Sequence, residues 1–256
     1  LKNILLSLLC CITLTANAQI VDSVKKDLLT APDTVKKLHS KTWALIPPVA
    51  LISYGVLSFE IPALRRLDNS INNEILKTAP NFSSKAESYF QFAPVAIAYG
   101  LNLAGISGKN TFIDRTALLG LSGGFLALST GIVKHSTHRL RPNGTDYLSF
   151  PSGHTATAFA GAEFLAQEYS AKSVWYGVAG YGIATATGVF RLYNHDHWFS
   201  DVVAGAGFGI LSTKLSYLVY PYIRNALTHK DKEGKSSMLL PTYQDGVAGL
   251  SFAMQL

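Results

Sequence analysis

Only two cysteines occur in the 256 residues, Cys10 and Cys11, side by side near the start. A disulfide scaffold is therefore excluded, and thiol chemistry goes with it once the first residues are removed. Charge is also scarce: Asp, Glu, Lys and Arg together make up 15% of the chain. The 22 Lys and Arg are scattered, with no long basic tract, so nucleic-acid binding is excluded despite a net charge of +6. That charge suits an anion such as phosphate or a lipid head group instead. Internal repeats and low-complexity tracts are missing as well, which leaves a single domain with a sizeable core.

Apolar residues make up 48% of the sequence and mean hydropathy is +0.21. This is greasy for a soluble protein and modest for a wholly embedded one. The opening LKNILLSLLCCITLTANAQ reads as an export signal over residues 1–18. Lys2 supplies the basic start, residues 4–15 the apolar run, and Ala16-Asn17-Ala18 the small-residue cleavage site. A retained anchor is the alternative. A polar segment follows over 19–42, then a bundle over 43–224, then a charged linker and tail over 225–256. Within the bundle lie six apolar stretches, 43–59, 90–106, 116–133, 156–166, 174–190 and 202–223. Their length and their Ala and Leu content favour buried helices over strands. The expected fold is all-α, one bundle of about six core helices, membrane-embedded or membrane-associated. Pro47-Pro48 interrupts the first stretch, and Glu163 and Glu168 lie in or beside the fourth. In the tail, Asp245-Gly246 between apolar segments fits a hairpin turn, so a short terminal β element is expected.

Three short motifs sit at the ends of these stretches. Lys134 is followed by six residues and Arg141-Pro142; next comes Pro151-Ser152-Gly153-His154; later Arg191 precedes His197 and Asp201. Lys134, Arg141 and Arg191 are three cations suited to phosphate oxygens. Ser152 is placed to cap the fourth helix, whose first N–H groups form an anion site that Gly153 leaves open. His197 and Asp201, four apart, fall on one helix face, where the carboxylate holds the imidazole in one tautomer and sharpens it as a nucleophile. His154 is then free to protonate a leaving group. The His195-Asp196-His197 run also resembles part of a metal site, but histidines two apart do not share a helix face.

In this combination and order, the motifs resemble those of the type 2 phosphatidic-acid phosphatase and vanadium-haloperoxidase superfamily. Its pattern is K-x6-R-P, P-S-G-H, then S-R-x5-H-x3-D, and the single departure is Phe190 in place of the serine. The resemblance runs over about residues 90–223. It implies that His197 becomes phosphorylated, that Asp201 polarises it, and that His154 protonates the departing oxygen and then activates water. Lys134, Arg141, Ser152, Gly153 and Arg191 would bind the phosphoryl oxygens, with no metal and no other cofactor.

The expected function is a cell-envelope phosphatase acting on lipid phosphate or pyrophosphate monoesters, with the membrane and its lipids as partners. An exported acid phosphatase for soluble esters, a vanadium haloperoxidase and a non-catalytic binding protein are the alternatives. The active site is expected on the periplasmic side, although two clues conflict. A cleaved signal starts the mature chain outside, and six full passes would then put the motif loops inside. Five lysines between Lys25 and Lys41, with a basic tail, place those loops outside. Failure of the proline-interrupted first stretch to cross, or export of the whole bundle, would reconcile them.

Overall fold

The computed structural model describes residues 42–230, 236–244 and 247–254. The expected signal peptide 1–18, almost all of the polar segment 19–42 and the Asp245-Gly246 pair lie outside them. Eight helices are present among the described residues: α1 (Ile46–Leu57), α2 (Pro62–Thr78), α3 (Ala86–Phe90), α4 (Ala93–Leu103), α5 (Phe112–Thr137), α6 (Gly153–Tyr169), α7 (Val174–Tyr193) and α8 (Phe199–Leu227). Strands β1 (Thr228–Lys230), β2 (Ser236–Gln244) and β3 (Val247–Met254) follow as an antiparallel sheet in that order. β2 and β3 pair from Ser237↔Met254 to Gln244↔Val247.

Local chemistry sets several boundaries. Pro47 and Pro48 do not break α1: they occupy its first turn, where a missing N–H costs nothing. Thr111 caps α5, its Oγ1 accepting from the Asp114 N–H at 3.3 Å and donating to Asp114 Oδ2 at 3.0 Å. Helix α2 carries no long apolar run. Its buried Asp68 and Ile75 share one face with half-buried Leu64 and Ile71, and that face rests on the bundle.

The core is organised around α6, which packs against α4, α5, α7 and α8. Eleven of its residues are buried, among them Ala156, Ala158, Ala160, Gly161 and Ala162, whose small side chains let neighbours approach from every direction. At Gly205 of α8 a Cβ would sit 2.6 Å from the Ser152 carbonyl oxygen. Glycine is therefore what allows the starts of α6 and α8 to meet, and the Ser152 N–H donates to the Asp201 carbonyl at 3.0 Å. The two acids that make α6 polar are both paired. Glu168 accepts from Arg115 Nε at 3.2 Å and from Tyr217 Oη at 2.5 Å. Glu163 accepts from Lys214 Nζ at 2.7 Å and from the Tyr181 hydroxyl. Such pairing is the condition on which a bundle interior tolerates charge.

Two helices, Phe112–Thr137 and Phe199–Arg224, are long and apolar enough to cross a membrane. Only 17% of the most apolar window of the first is buried inside the protein, so most of its apolar surface faces outward. Ile113, Leu128 and Ile132 on α5 are exposed there, as are Val174, Trp175 and Val178 on α7 and Tyr222 on α8. An apolar outer surface of this kind calls for lipid, and the bundle is membrane-embedded.

Helix α1 runs antiparallel to α8, with Gly55 against Ser200 and Ala204, and Pro48 and Ile52 against Gly207. A chain turn of 89° then lays α2 across the end of the bundle. Counting α3 with α4, the described chain runs the length of the bundle six times, so the first apolar stretch does run along it with the others. All three motif loops gather at one end. The described chain enters and leaves on the side away from them.

Candidate active site

The site forms where α5 and α7 end and α6 and α8 begin. Lys134, in the last turn of α5, donates from Nζ to the carbonyls of Leu148 and Pro151, each at 2.7 Å. It thereby ties the 138–152 loop down and lies beside the start of α6, its Cε 3.9 Å from where a Gly153 side chain would begin. Ser152 occupies the N-cap position of α6, but its hydroxyl does not cap. It is fully buried and pairs with Thr155 Oγ1 at 2.9 Å, which leaves the first N–H groups of the helix to an incoming anion. His154 follows in the first turn, half-buried.

His197 departs from the sequence expectation in an instructive way. It lies in the turn before α8 instead of on the helix, with His195 two residues earlier in the left-handed region at φ 56°. The i, i+4 carboxylate is close but not bonded, at 3.8 Å from His197 Nδ1 to Asp201 Oδ2. The Nδ1–H donates instead to the Ser149 carbonyl at 2.7 Å. This fixes the tautomer and turns the Nε2 lone pair toward Arg141 Nη1, 3.3 Å away. Burial pushes the His197 pKa down to about 4, against the smaller upward pull of Asp201. The imidazole is thus neutral at pH 7, with a free pair on the nitrogen that faces the cations.

Asp201 is fully buried. Its Oδ2 accepts from Ser149 Oγ at 2.5 Å and from the Trp198 N–H at 2.9 Å. Its Oδ1 accepts from Arg139 Nη1 at 2.7 Å. The carboxylate therefore acts on His197 through space and through Ser149, not by direct hydrogen bonding.

Arg141 and Arg191 complete the cation ring. Arg141 donates from Nε to Asp146 Oδ1 at 2.8 Å and from Nη1 to the Asp196 carbonyl at 3.1 Å. Arg191 Nη1 contacts Asp196 Oδ2 at 2.8 Å and Glu87 Oε1 at 3.2 Å, while its buried Nε has no partner within the protein. An unsatisfied guanidinium N–H of this kind is suited to an anionic oxygen.

The structure thus brings all eight expected side chains or backbone positions to one place. It adds residues that sequence reasoning passed over, Ser149, Asp146, Glu87, Arg139 and, from α2, Asp68, and gives Asp196 a role as partner of Arg191. The H-D-H run is divided among different partners, since His195 Nδ1 pairs with Asn72 Oδ1 at 2.7 Å, Asp196 with Arg191 and His197 with Ser149. Among the described residues no group of three His, Cys, Asp or Glu is placed to hold a metal ion.

Residues 115–225 match the family model described as the PAP2 superfamily. A lipid A 1-phosphatase of Porphyromonas gingivalis is 37% identical over 172 residues, covering 66% of this chain and 37% of that protein. A probable lipid phosphate phosphatase 4 of Arabidopsis thaliana is 35% identical over 108 residues, covering 37% of this chain and 34% of the relative. The chain thus spans about a third of the length of these two relatives. Among solved structures, a transmembrane PAP2-type phosphatidylglycerolphosphate phosphatase from Bacillus subtilis aligns with a TM-score of 0.52 at 21% identity. That alignment covers 70% of this chain and 98% of the other, and it shows a shared fold.

Proposed function

We propose that this chain, whose residues 115–225 match the PAP2 superfamily model, is a membrane phosphatase for lipid phosphate or pyrophosphate monoesters, working through a phosphohistidine on His197. The observation that carries the mechanism is the orientation of His197: Nδ1–H held by the Ser149 carbonyl, Nε2 open toward Arg141. The lipid assignment is supported by the relatives' named substrates and by the membrane-embedded bundle.

In the first step Nε2 attacks phosphorus while the ester P–O bond breaks, and His154 gives the departing oxygen its proton. The phosphorylated ring becomes cationic, and buried Asp201 offsets that charge from 3.8 Å. In the second step water attacks phosphorus as its proton passes to His154; the P–N bond breaks and His197 returns to neutral. Lys134, Arg141, Arg191 and the start of α6 hold the phosphoryl oxygens throughout, a role of positioning and charge stabilisation. Ser152 contributes through its backbone position, because its hydroxyl is engaged by Thr155.

With cations supplied by side chains, turnover is expected to persist in excess chelator. Vanadate, which adopts a five-coordinate geometry like that of the transition state, is expected to inhibit strongly. The test is phosphate release by purified protein from a panel of lipid and soluble phosphates, with each addition. Loss of activity in chelator, restored by a divalent cation, would refute the cation-only cradle. A clear preference for soluble esters would favour the exported acid phosphatase.

We also place the site on the periplasmic face. The described bundle begins and ends on the side away from the site, and the sequence carries Lys25, Lys26, Lys36, Lys37 and Lys41 before it and Lys230, Lys232 and Lys235 after it. Lysines beside the first and last passes are retained on the cytoplasmic side. This reading gives the lysines more weight than the signal-like opening. Intact cells should therefore hydrolyse a membrane-impermeant phosphate ester at close to the rate of permeabilised cells. Hydrolysis only after permeabilisation would place the site inside.

A further inference from the structure

Arg139 takes no part in the phosphate cradle, and Asp68 lies on α2, outside the residues that match the family model. Both are nevertheless tied to the site. Arg139 Nη1 donates to Asp201 Oδ1 and Nη2 to Asp68 Oδ2, each at 2.7 Å, so one guanidinium joins two buried carboxylates. Ser200, the residue before Asp201, is clamped as well: its N–H donates to Asp68 Oδ1 at 2.9 Å and its Oγ to Asp68 Oδ2 at 2.6 Å. Arg139 is packed against Phe59 at 5.0 Å and Trp198 at 5.8 Å from its guanidinium carbon to the ring centres. The Arg139 carbonyl in turn accepts from the Ser149 N–H at 3.0 Å, and Ser149 holds His197.

We propose that Asp68 and Arg139 are positioning residues that set the charge and orientation of the Asp201–His197 pair, so that α2 is a working part of the site. The inference rests on the phosphohistidine reading above. Its physical basis is a balance of charges in contact: Asp201 favours an imidazolium, Arg139 bonded to Asp201 opposes it, and Asp68 bonded to Arg139 offsets part of that opposition. The other charged groups facing His197 are Arg141, Asp146 and Lys134 from α5 and the following loop, His154 on α6, Arg191 and Asp196 from the end of α7, and Glu87 on α3. They remain unchanged in the test.

The signs follow. Asp68→Asn removes a negative charge beyond Arg139, making the surroundings of His197 more positive and its ring harder to protonate. The acid limb of kcat/KM should move to lower pH. Nε2 also becomes less nucleophilic, so kcat should fall about tenfold with KM within twofold, the scale on which lost orienting partners act. Arg139→Gln does the opposite to the charge, so its acid limb should move to higher pH while kcat falls. Arg139→Lys keeps the charge but cannot bridge both carboxylates; it should leave the acid limb in place and still lower kcat.

Wild-type and His197→Ala proteins are assayed alongside, with melting temperatures for every variant. An inactive wild type, or an active His197→Ala, defeats the phosphohistidine reading itself. A His197-dependent enzyme whose Asp68→Asn variant turns over at the wild-type rate overturns this inference alone. So do acid limbs that stay fixed in both charge-changing variants or move the same way. If Arg139→Gln does not fold, the Asp68→Asn and Arg139→Lys profiles decide between the same outcomes.

Discussion

Replacing His197 by alanine is expected to abolish phosphate release, by on the order of 10⁴-fold or more in kcat, the scale seen when a covalent nucleophile is removed. The side chain is buried, its ring is neutral, and its Nε2 faces a cation ring. The Ser152 hydroxyl is turned to Thr155 and is not free to take the place of His197. Phosphate binding should survive, because Lys134, Arg141, Arg191 and the start of α6 are untouched. His154→Ala should behave differently. Esters with good leaving groups need little protonation, so the first step should proceed and phosphoenzyme should accumulate while water attack lags. Rapid-quench trapping with a labelled activated ester, followed by acid and base treatment of the labelled protein, checks this. Acid-labile, base-stable label in His154→Ala and none in His197→Ala is the expected pattern. Near-normal turnover by His197→Ala would refute the mechanism.

The second large effect belongs to the other end of the bundle and to stability. Glu168→Ala is expected to cost about 3–5 kcal/mol, because it strands a buried cation instead of removing a pair. Arg115 and Glu168 are both fully enclosed, with side-chain exposures of 0%. Besides Arg115, Glu168 serves Tyr217 Oη and both the N–H and the Nδ2 of Asn110, at 2.5, 3.0 and 2.5 Å. Four donors lose their acceptor at once, at the junction of α5, α6 and α8. For a protein of this size the melting temperature should fall on the order of 10 °C. Replacing both partners by apolar residues, Arg115→Met with Glu168→Leu, should recover much of the loss, since no charge is left unpaired. A melting temperature for Glu168→Ala within a degree of the wild type would show that water reaches this cluster.

The helices and the cradle were legible because their signals are local. The six apolar stretches mark directly the six helices that run along the bundle. Lys134 to Pro142 and Pro151 to His154 each lie at one helix end, and Arg191 to Asp201 joins the end of α7 to the start of α8 across a short turn, so the side chains within each motif cannot be far apart. Even so, local spacing misread one detail. A spacing of four from His197 to Asp201 implied a shared helix face, whereas the helix starts after His197 and the imidazole donates its hydrogen bond to the Ser149 carbonyl, 48 positions earlier in the chain.

Helix α2 escaped notice because it has no apolar run, although Leu64, Asp68, Ile71 and Ile75 already lie at helical spacing along it. Arg139 stood in plain view in R-L-R-P, but nothing nearby distinguishes it from Arg141. Its partners lie 62 and 71 positions away, in Asp201 and Asp68. Residue types and short spacings by themselves determined the helical class, the apolar character of the bundle and the candidates for the phosphate cradle. The tertiary structure alone decided which ring nitrogen donates to Ser149 and which faces Arg141, and which carboxylate holds which arginine. The reason is physical: hydrophobic periodicity and helix-end motifs act over a few residues, whereas hydrogen-bond direction and charge pairing in a buried site depend on which distant segments fold against one another.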